Sequence, residues 1–297
     1  MTVLIQVQLR PDQTAAIQLP PEAAGHGRRL ESLYLFVQRA AQWLHPSHPE
    51  ARFYLQLLDE EPDAPCFRFD GPLAADGGGP LIPDPYALGS HGYAGIRTRF
   101  ASEPLPPWEE RLPIAIWRGS STGTLGLNPE NLDGNRRYQL CQMSRRWPAL
   151  LDARFTAVVQ AADGQAQQQL EHQLHKQGLM APRLDPWHLA LHRWLIEIDG
   201  NVNSWGLLWK LFSGCCVLRV ASERRQWYHH RLIPWTHVVP VAADLSDLAE
   251  RLRWCRAHPD HCAAMAAAAQ TLAQEVVDAM EQDQRSAVEH YAQQWLS

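Results

Sequence analysis

The sequence has no apolar run of 18 residues, so it offers no candidate membrane-spanning helix. The opening residues, MTVLIQVQLRPDQ, lack the apolar core of a secretory signal. The expectation is therefore a soluble, cytoplasmic protein, at most peripheral to the inner face of a membrane. The six cysteines contain no CxxC pair, and a chain of 297 residues needs no disulfide framework to fold. Cys255, His258, His261 and Cys262 are ligand types suited to zinc, but Pro259 interrupts them and helical thiols are usually small buried hydrophobes. No internal repeat is visible. A net charge of -5 excludes bulk attraction to nucleic acid or to an anionic membrane, leaving local basic clusters such as Arg224, Arg225 and Arg231.

What is present is a chain able to bury a core, since 45% of it is hydrophobic. Twelve tryptophans add flat apolar faces that also suit sugar rings and bases. Val3, Ile5, Val7 and Leu9 alternate with polar residues as a half-buried strand does, and Leu30, Leu33, Val37, Ala41 and Leu44 have helical spacing. Phe53, Leu55 and Leu57 alternate again. Pro62 to Pro107 is rich in Pro and Gly without a long periodic segment, and loop regions of that length are usually functional or disordered. From Arg111 onward strands and helices alternate, which implies a parallel sheet covered on both faces. An Ala-rich helical stretch runs from Asp260 to the end, with Val288, Tyr291 and Trp295 on one stripe. The division drawn is 1–110 as an acceptor-side domain, 111–280 as a nucleotide-binding Rossmann-like domain, and 281–297 as a helix returning to the first.

Two stretches carry candidate chemistry. In the first, the strand Ile114 to Trp117 runs into RGSSTGTLG, where ligands of open α/β sheets bind. Arg118 offers a planar fork for phosphate, Ser120, Ser121 and Thr122 offer hydroxyls, and Gly119 lets backbone amides approach closely. It is neither a Walker A loop, which needs a lysine after its second glycine, nor a GxGxxG turn. Its bland alternative is a surface turn with a solvated arginine. In the second stretch, the strand Trp194 to Ile198 is broken by Asp199, Gly200 and Asn201. Asn203 or Ser204 is positioned to cap a helix bearing Leu207, Leu208, Leu211 and Phe212, and Cys215 to Val220 forms the next strand. This crossover suggests a phosphate at the helix N-terminus and Asp199 accepting from sugar hydroxyls. The alternative is a structural unit with an Asx-type turn.

WRGSSTG, IDGNVNSWGLLWKLFSG, VLRVAS, QWYHHRLIPWTHVVPV and DLSDL, occurring in that order, resemble the family 90 glycosyltransferases over about residues 82–262. That family includes bacterial lipopolysaccharide and capsule glycosyltransferases, fungal capsule-associated proteins and animal protein O-glucosyltransferases. The resemblance implies an α/β fold of GT-B type, two Rossmann-like domains with a UDP-sugar in the cleft, and inverting transfer to a hydroxyl without a metal. The sequence also lacks the DxD pair of metal-dependent transferases. The implied donor contacts are Arg118, Gly119, Ser120, Ser121, Thr122, Asp199, Gly200, Asn201, Asn203, Ser204, Trp205 and Arg219. Animal members carry arginines where this chain has Asp199 and Gly206, which shifts phosphate neutralisation here to Arg118, the helix start near Ser204, and Arg219.

The resemblance leaves the general base between two residues. The arginine–aspartate pair that holds the base aspartate of the animal members aligns with His91 and Gly92, and Asp84 matches an earlier aspartate of that region. Asp84 lies in a turn stiffened by Pro83 and Pro85, whereas His91 offers an imidazole, a side-chain type suited to proton removal near neutrality. The expected acceptor is a surface glycan or glycolipid of lipopolysaccharide or capsule type, with UDP-sugar as donor, no cofactor and no nucleic-acid partner. The alternatives are transfer to serine of a protein and an inactive fold that binds sugar nucleotide or glycan.

Overall fold

Hydrophobic period dictates most of the elements. Strand β1 (Leu4–Leu9) buries Ile5, Val7 and Leu9 on one face and is followed by β2 (Ala15–Gln18), while α1 (Gly27–Leu44) turns Leu33, Phe36, Val37, Ala40 and Leu44 inward. Next come β3 (Arg52–Gln56), β4 (Gly71–Pro72), α2 (Pro85–Gly89), α3 (Ala94–Ser102), β5 (Leu112–Ser120), α4 (Arg136–Arg146), β6 (Leu151–Ala157), α5 (Gly164–Lys176) and α6 (Pro186–Leu189). The remainder is β7 (His192–Glu197), α7 (Leu207–Phe212), β8 (Cys216–Val220), β9 (Arg224–Arg225), β10 (Val238–Val241), α8 (Leu248–Ala257), α9 (Pro259–Asp278) and α10 (Met280–Trp295). The computed structural model describes residues 3–59, 62–73 and 78–296; residues 74–77 of the Pro- and Gly-rich segment lie outside that set. Among the described residues, no helix is long and apolar enough to cross a membrane.

The chain divides into two compact units, one of Met1–Gly95, Glu223–His230 and Glu275–Ser297, the other of Ile96–Ser222 and Arg231–Gln274. The first holds a three-stranded sheet of order β2-β1-β3, antiparallel throughout. A Rossmann-like N-terminal domain is therefore not what forms. Residues 10–14 join β1 and β2 too tightly for anything but a hairpin, because a parallel pair needs a crossover of a dozen residues or more. Its core joins α1 and the sheet to Val288, Tyr291 and Ala292 of α10, with Tyr291 stacked on Phe67 at 4.5 Å. The short ribbon β4–β9 adds a buried ion pair between Arg224 and Asp70. Arg224 is thus spent inside the unit rather than offered to a partner.

The second unit carries the expected parallel sheet, five strands in the order β10-β8-β7-β5-β6. Its strands are near-continuous apolar runs, as burial on both faces requires. The chain goes from β5 outward to β6, then returns past β5 to β7 and continues to β8 and β10. That reversal between β5 and β7 is a topological switch point. Three local expectations change. Strand β5 extends three residues past Trp117, because Arg118 and Gly119 remain paired to Arg154 and Phe155 of β6. Helix α7 begins only at Leu207, with Gly206 at its cap and no side-chain capping bond. The Ala-rich stretch is two helices broken at Ala279.

Candidate functional site

Beyond the C-terminal ends of β5, β7 and β8 lies a polar cavity of about 290 Å³. Thr122 and Gly123 line it from the first motif, Ile198, Asp199 and Gly200 from the second, Val220 and Ala221 from the end of β8, and Arg136 and Arg137 from the start of α4. The two loops singled out by sequence thus meet at the switch point.

They are also bonded to each other. Gly123 N donates to Asn201 Oδ1 at 3.0 Å. Arg137 reaches both loops: Nε donates to Asp199 O at 2.9 Å and Nη2 to Ile198 O at 3.2 Å, while Nη1 donates to Ser120 O at 3.0 Å and Thr122 Oγ1 at 2.6 Å. A guanidinium has five N–H donors. Four are used here, and one on Nη2 is left over. Asn135, the N-cap of α4, takes Tyr138 N on its oxygen and gives Nδ2 to Ser121 O, so the same helix end fixes the first loop. Glycine is required twice. Gly123 has φ of 110°, and a Cβ on Gly200 would collide with Thr122 Oγ1.

Charge inside the site is balanced. Burial pushes the Arg137 guanidinium below its usual pKa, and the carboxylates of Glu197 and Asp199 oppose that shift. Asp199 accepts from Asn203 Nδ2 at 3.4 Å and from Ser204 N at 3.3 Å. Beneath the loop, Glu197 is fully buried and burial raises its pKa. Lys210 of α7 counters this with an ion pair, and the Ser204 hydroxyl adds a hydrogen bond. Lys210 Nζ also donates to Ile196 O at 3.0 Å. This pair ties α7 to β7 and fixes the strand end from which the Asp199 loop springs.

Several expected site residues have other duties. Arg118 is a strand residue whose Nη2 lies 2.6 Å from Asp152 Oδ2 and whose Nη1 donates to the carbonyls of Trp117 and Asp152. Its side chain is 8% exposed and does not line the cavity. The extension of β5 is the cause: it places Arg118 over the sheet instead of in a free loop. Ser121 is buried and cross-links to Val159 through Val159 N and O. Gly119 lies against the Trp117 ring. The N-terminus of α7 is not part of the cavity wall, and Ser204, Trp205 and Arg219 do not line it either. Asn203 is buried, bonding Asp199 and Ser222 Oγ.

In the other unit, Asp84 is the N-cap of α2, its Oδ1 accepting from Tyr86 N at 2.9 Å and Ala87 N at 3.1 Å. It is 0% exposed, and burial raises its pKa to about 7. A base must touch the acceptor hydroxyl, and in this arrangement the Asp84 carboxyl is closed off from solvent. His91 is exposed and stands in a left-handed turn with Gly92 and Tyr93, at φ of 50°, 68° and 60°.

Sequence reading missed Arg136, Arg137, Glu197 and Lys210. The Asn135 cap ahead of two arginines was a readable helix start, but nothing local shows that its first turn meets two distant loops. Among the described residues no group of three His, Cys, Asp or Glu side chains is placed to hold a metal ion. Cys255 and Cys262 are buried instead, against Cys216 of β8.

The model for glycosyl transferase family 90 matches residues 98–292. Uncharacterized protein 035R of Invertebrate iridescent virus 3 is 33% identical over 170 residues, covering 54% of this chain and 14% of that protein. Protein O-glucosyltransferase 1 of Rattus norvegicus is 31% identical over 157 residues, 52% of this chain and 34% of that one. The aligned stretches span well under two thirds of these relatives. Among solved structures, HepE of Anabaena in complex with UDP-glucose aligns at a TM-score of 0.43 and 12% identity, over 67% of this chain and 52% of that one.

Proposed function

Because the chain belongs to glycosyl transferase family 90, we propose that it moves a sugar from a UDP-sugar to an acceptor hydroxyl, with the nucleotide diphosphate held between the Thr122 and Asp199 loops. The observation that carries this reading is the polar cavity at the switch point of the parallel sheet, walled by the two loops that bear the family-like motifs.

In this reading Asp199 accepts from sugar hydroxyls of the donor, and Ile198, Val220 and Ala221 supply apolar wall. As UDP departs, negative charge grows on its diphosphate. Arg136, exposed at the rim, and the remaining N–H of Arg137 face that charge, and one such donor is typically worth about 10²- to 10³-fold in rate. Transfer proceeds with inversion: a base takes the proton of the acceptor hydroxyl, the oxygen attacks the anomeric carbon, and UDP leaves from the opposite face without a metal. Of the two residues considered for the base, His91 is the one whose side chain meets solvent.

The proposed acceptor is a surface glycan of lipopolysaccharide or capsule type. A second reading, transfer to serine of a protein, is favoured by the name of the relatives, protein O-glucosyltransferase. UDP release measured with a panel of UDP-sugars, each with glycan or with serine peptide, separates them. Release that rises only with peptide moves the assignment to protein modification, and no release or UDP binding with any pair rejects the transferase reading.

A further inference from the structure

The opposite end of the parallel sheet, where β6 and β10 begin, carries a surface that the donor cavity does not use. The loop before β10 exposes Ile233 at 54% and Trp235 at 44%. Trp235 has φ of 64°, a left-handed conformation uncommon for a residue with a side chain. Trp235 N to Val238 O at 2.8 Å and His237 N to Ile233 O at 2.9 Å pin the tip in that form, and Ile233 N donates to His237 Nδ1 at 3.0 Å. The chain is held against its own preference in a shape that turns two large apolar side chains outward.

One arginine packs on this tip, and three more lie across the exposed face of α8. The Trp235 ring meets Trp254 of α8 edge-on at 5.0 Å, and the Arg251 guanidinium lies 5.1 Å from the Trp235 centroid. Around the exposed face of α8, Arg253 lies 6.0 Å from the ring of Trp147, which Arg146 also covers at 5.0 Å. Arg256 Nη1 donates to Ala149 O at 3.5 Å, fastening α8 to the turn before β6. The acidic groups on the same helix side are Asp247, which pairs with Arg251 at 3.0 Å, and exposed Glu250. Among the described residues Arg146, Arg253 and Arg256 have no carboxylate partner. A chain of net charge -5 thus sets three unpaired arginines across α8 from its outward-turned Ile and Trp.

We propose that this face docks the protein on an anionic phospholipid surface. Ile233 and Trp235 enter the headgroup region, where amphipathic rings settle. Arg146, Arg253 and Arg256 meet lipid phosphates, each worth roughly fivefold in affinity near a charged leaflet. Nucleic acid fits less well, because guanidinium groups already cover the tryptophan faces on which bases would stack. The cavity opens at the other end of the same sheet, so docking here leaves it facing water.

The test uses the full chain in co-sedimentation with vesicles of phosphatidylcholine, alone or mixed with phosphatidylglycerol. Binding is expected only to the mixed vesicles, weakening as salt rises. Arg253→Glu with Arg256→Glu is expected to lower it by about tenfold or more. Ile233→Ser is expected to lower it as well, and since Ile233 is exposed, its circular dichroism should match the parent. Equal binding to neutral vesicles, no binding to mixed vesicles, or unchanged binding in both variants overturns the proposal. So does an RNA oligonucleotide bound as tightly as the mixed vesicles, weakened by the arginine changes and indifferent to Ile233→Ser.

Discussion

The Thr122 hydroxyl lies 2.6 Å from Nη1 of Arg137, and the same guanidinium donates through Nε to the carbonyl of Asp199. One side chain on α4 therefore sets the spacing of the two loops that wall the cavity. Arg137→Met should destabilise the protein by about 3 kcal/mol or more, since it strands buried acceptors and removes charge-assisted bonds. It should also lower UDP affinity by at least about tenfold, as one or two kcal/mol of lost positioning implies. Thr122→Val, which removes one of these bonds, should cost about 1 kcal/mol. Thermal unfolding and calorimetric titration with UDP measure both. Parent-like UDP affinity in Arg137→Met would take the donor out of this cavity.

Lys210→Met should be among the costly substitutions, because it leaves the Glu197 carboxylate buried without its counter-ion. Breaking such pairs typically costs about 3–5 kcal/mol. Glu197 already has its pKa raised by burial, and losing Lys210 raises it further. The folded state then binds more protons than the unfolded one, so the variant should lose stability as pH rises above the ordinary glutamate range. Adding Glu197→Gln should recover much of the loss and flatten that pH dependence. Urea unfolding at pH 5 and pH 8 gives the comparison; equal losses at both would refute the account.

Asp84 supplies a second pH signature, of the same sign. Its carboxyl, ordinarily at 3.8, is raised to about 7 by burial. Between these values the folded state holds a proton that the unfolded state has released, so stability falls as pH rises through the window, by at most about 1.4 kcal/mol per pH unit. Asp84→Asn keeps a capping oxygen and removes the titration. Its unfolding temperature should fall less than the parent's between pH 4 and pH 7, and transfer should persist. A loss of about 10²-fold in transfer with stability unchanged would restore Asp84 as the base.

Transfer should withstand excess EDTA. The proposed stabilisation of the leaving diphosphate comes from Arg136 and Arg137, and neither needs a metal. An assay with a productive donor and acceptor decides the matter: complete loss with EDTA, restored by magnesium or manganese, would refute this part of the mechanism.

Elements with a clear period were legible. The alternation at Ile5, Val7 and Leu9 and the spacing of Leu33, Val37 and Leu44 appear in the fold where the sequence puts them. The convergence of the Thr122 and Asp199 loops was legible too, since both follow strands of one parallel sheet. The place of Arg118 within β5 was not legible, because strand ends are set by pairing with a neighbour, and its pairing with Arg154 leaves no mark in its own segment. Arg137 was overlooked for the converse reason. Its four acceptors lie 15 to 62 residues away, and only the folded sheet gathers them. Asp84 carried a readable cap signal ahead of Pro85, but burial is a property of what packs around it.

The first unit is stitched from three separate stretches of chain, and that shapes the order of events during synthesis. Phe67 and the inner faces of β1 and α1 leave the ribosome long before Val288, Tyr291 and Ala292, which complete their cover. Closing that distance is a loop-entropy cost that local structure cannot offset early. The N-terminal sheet therefore waits for α10 with part of its apolar face open, while the parallel sheet can gather its strands as they emerge. A nascent chain stalled before Glu275 would present that open face to chaperones and proteases, which makes the interval before α10 emerges one in which the molecule needs protection.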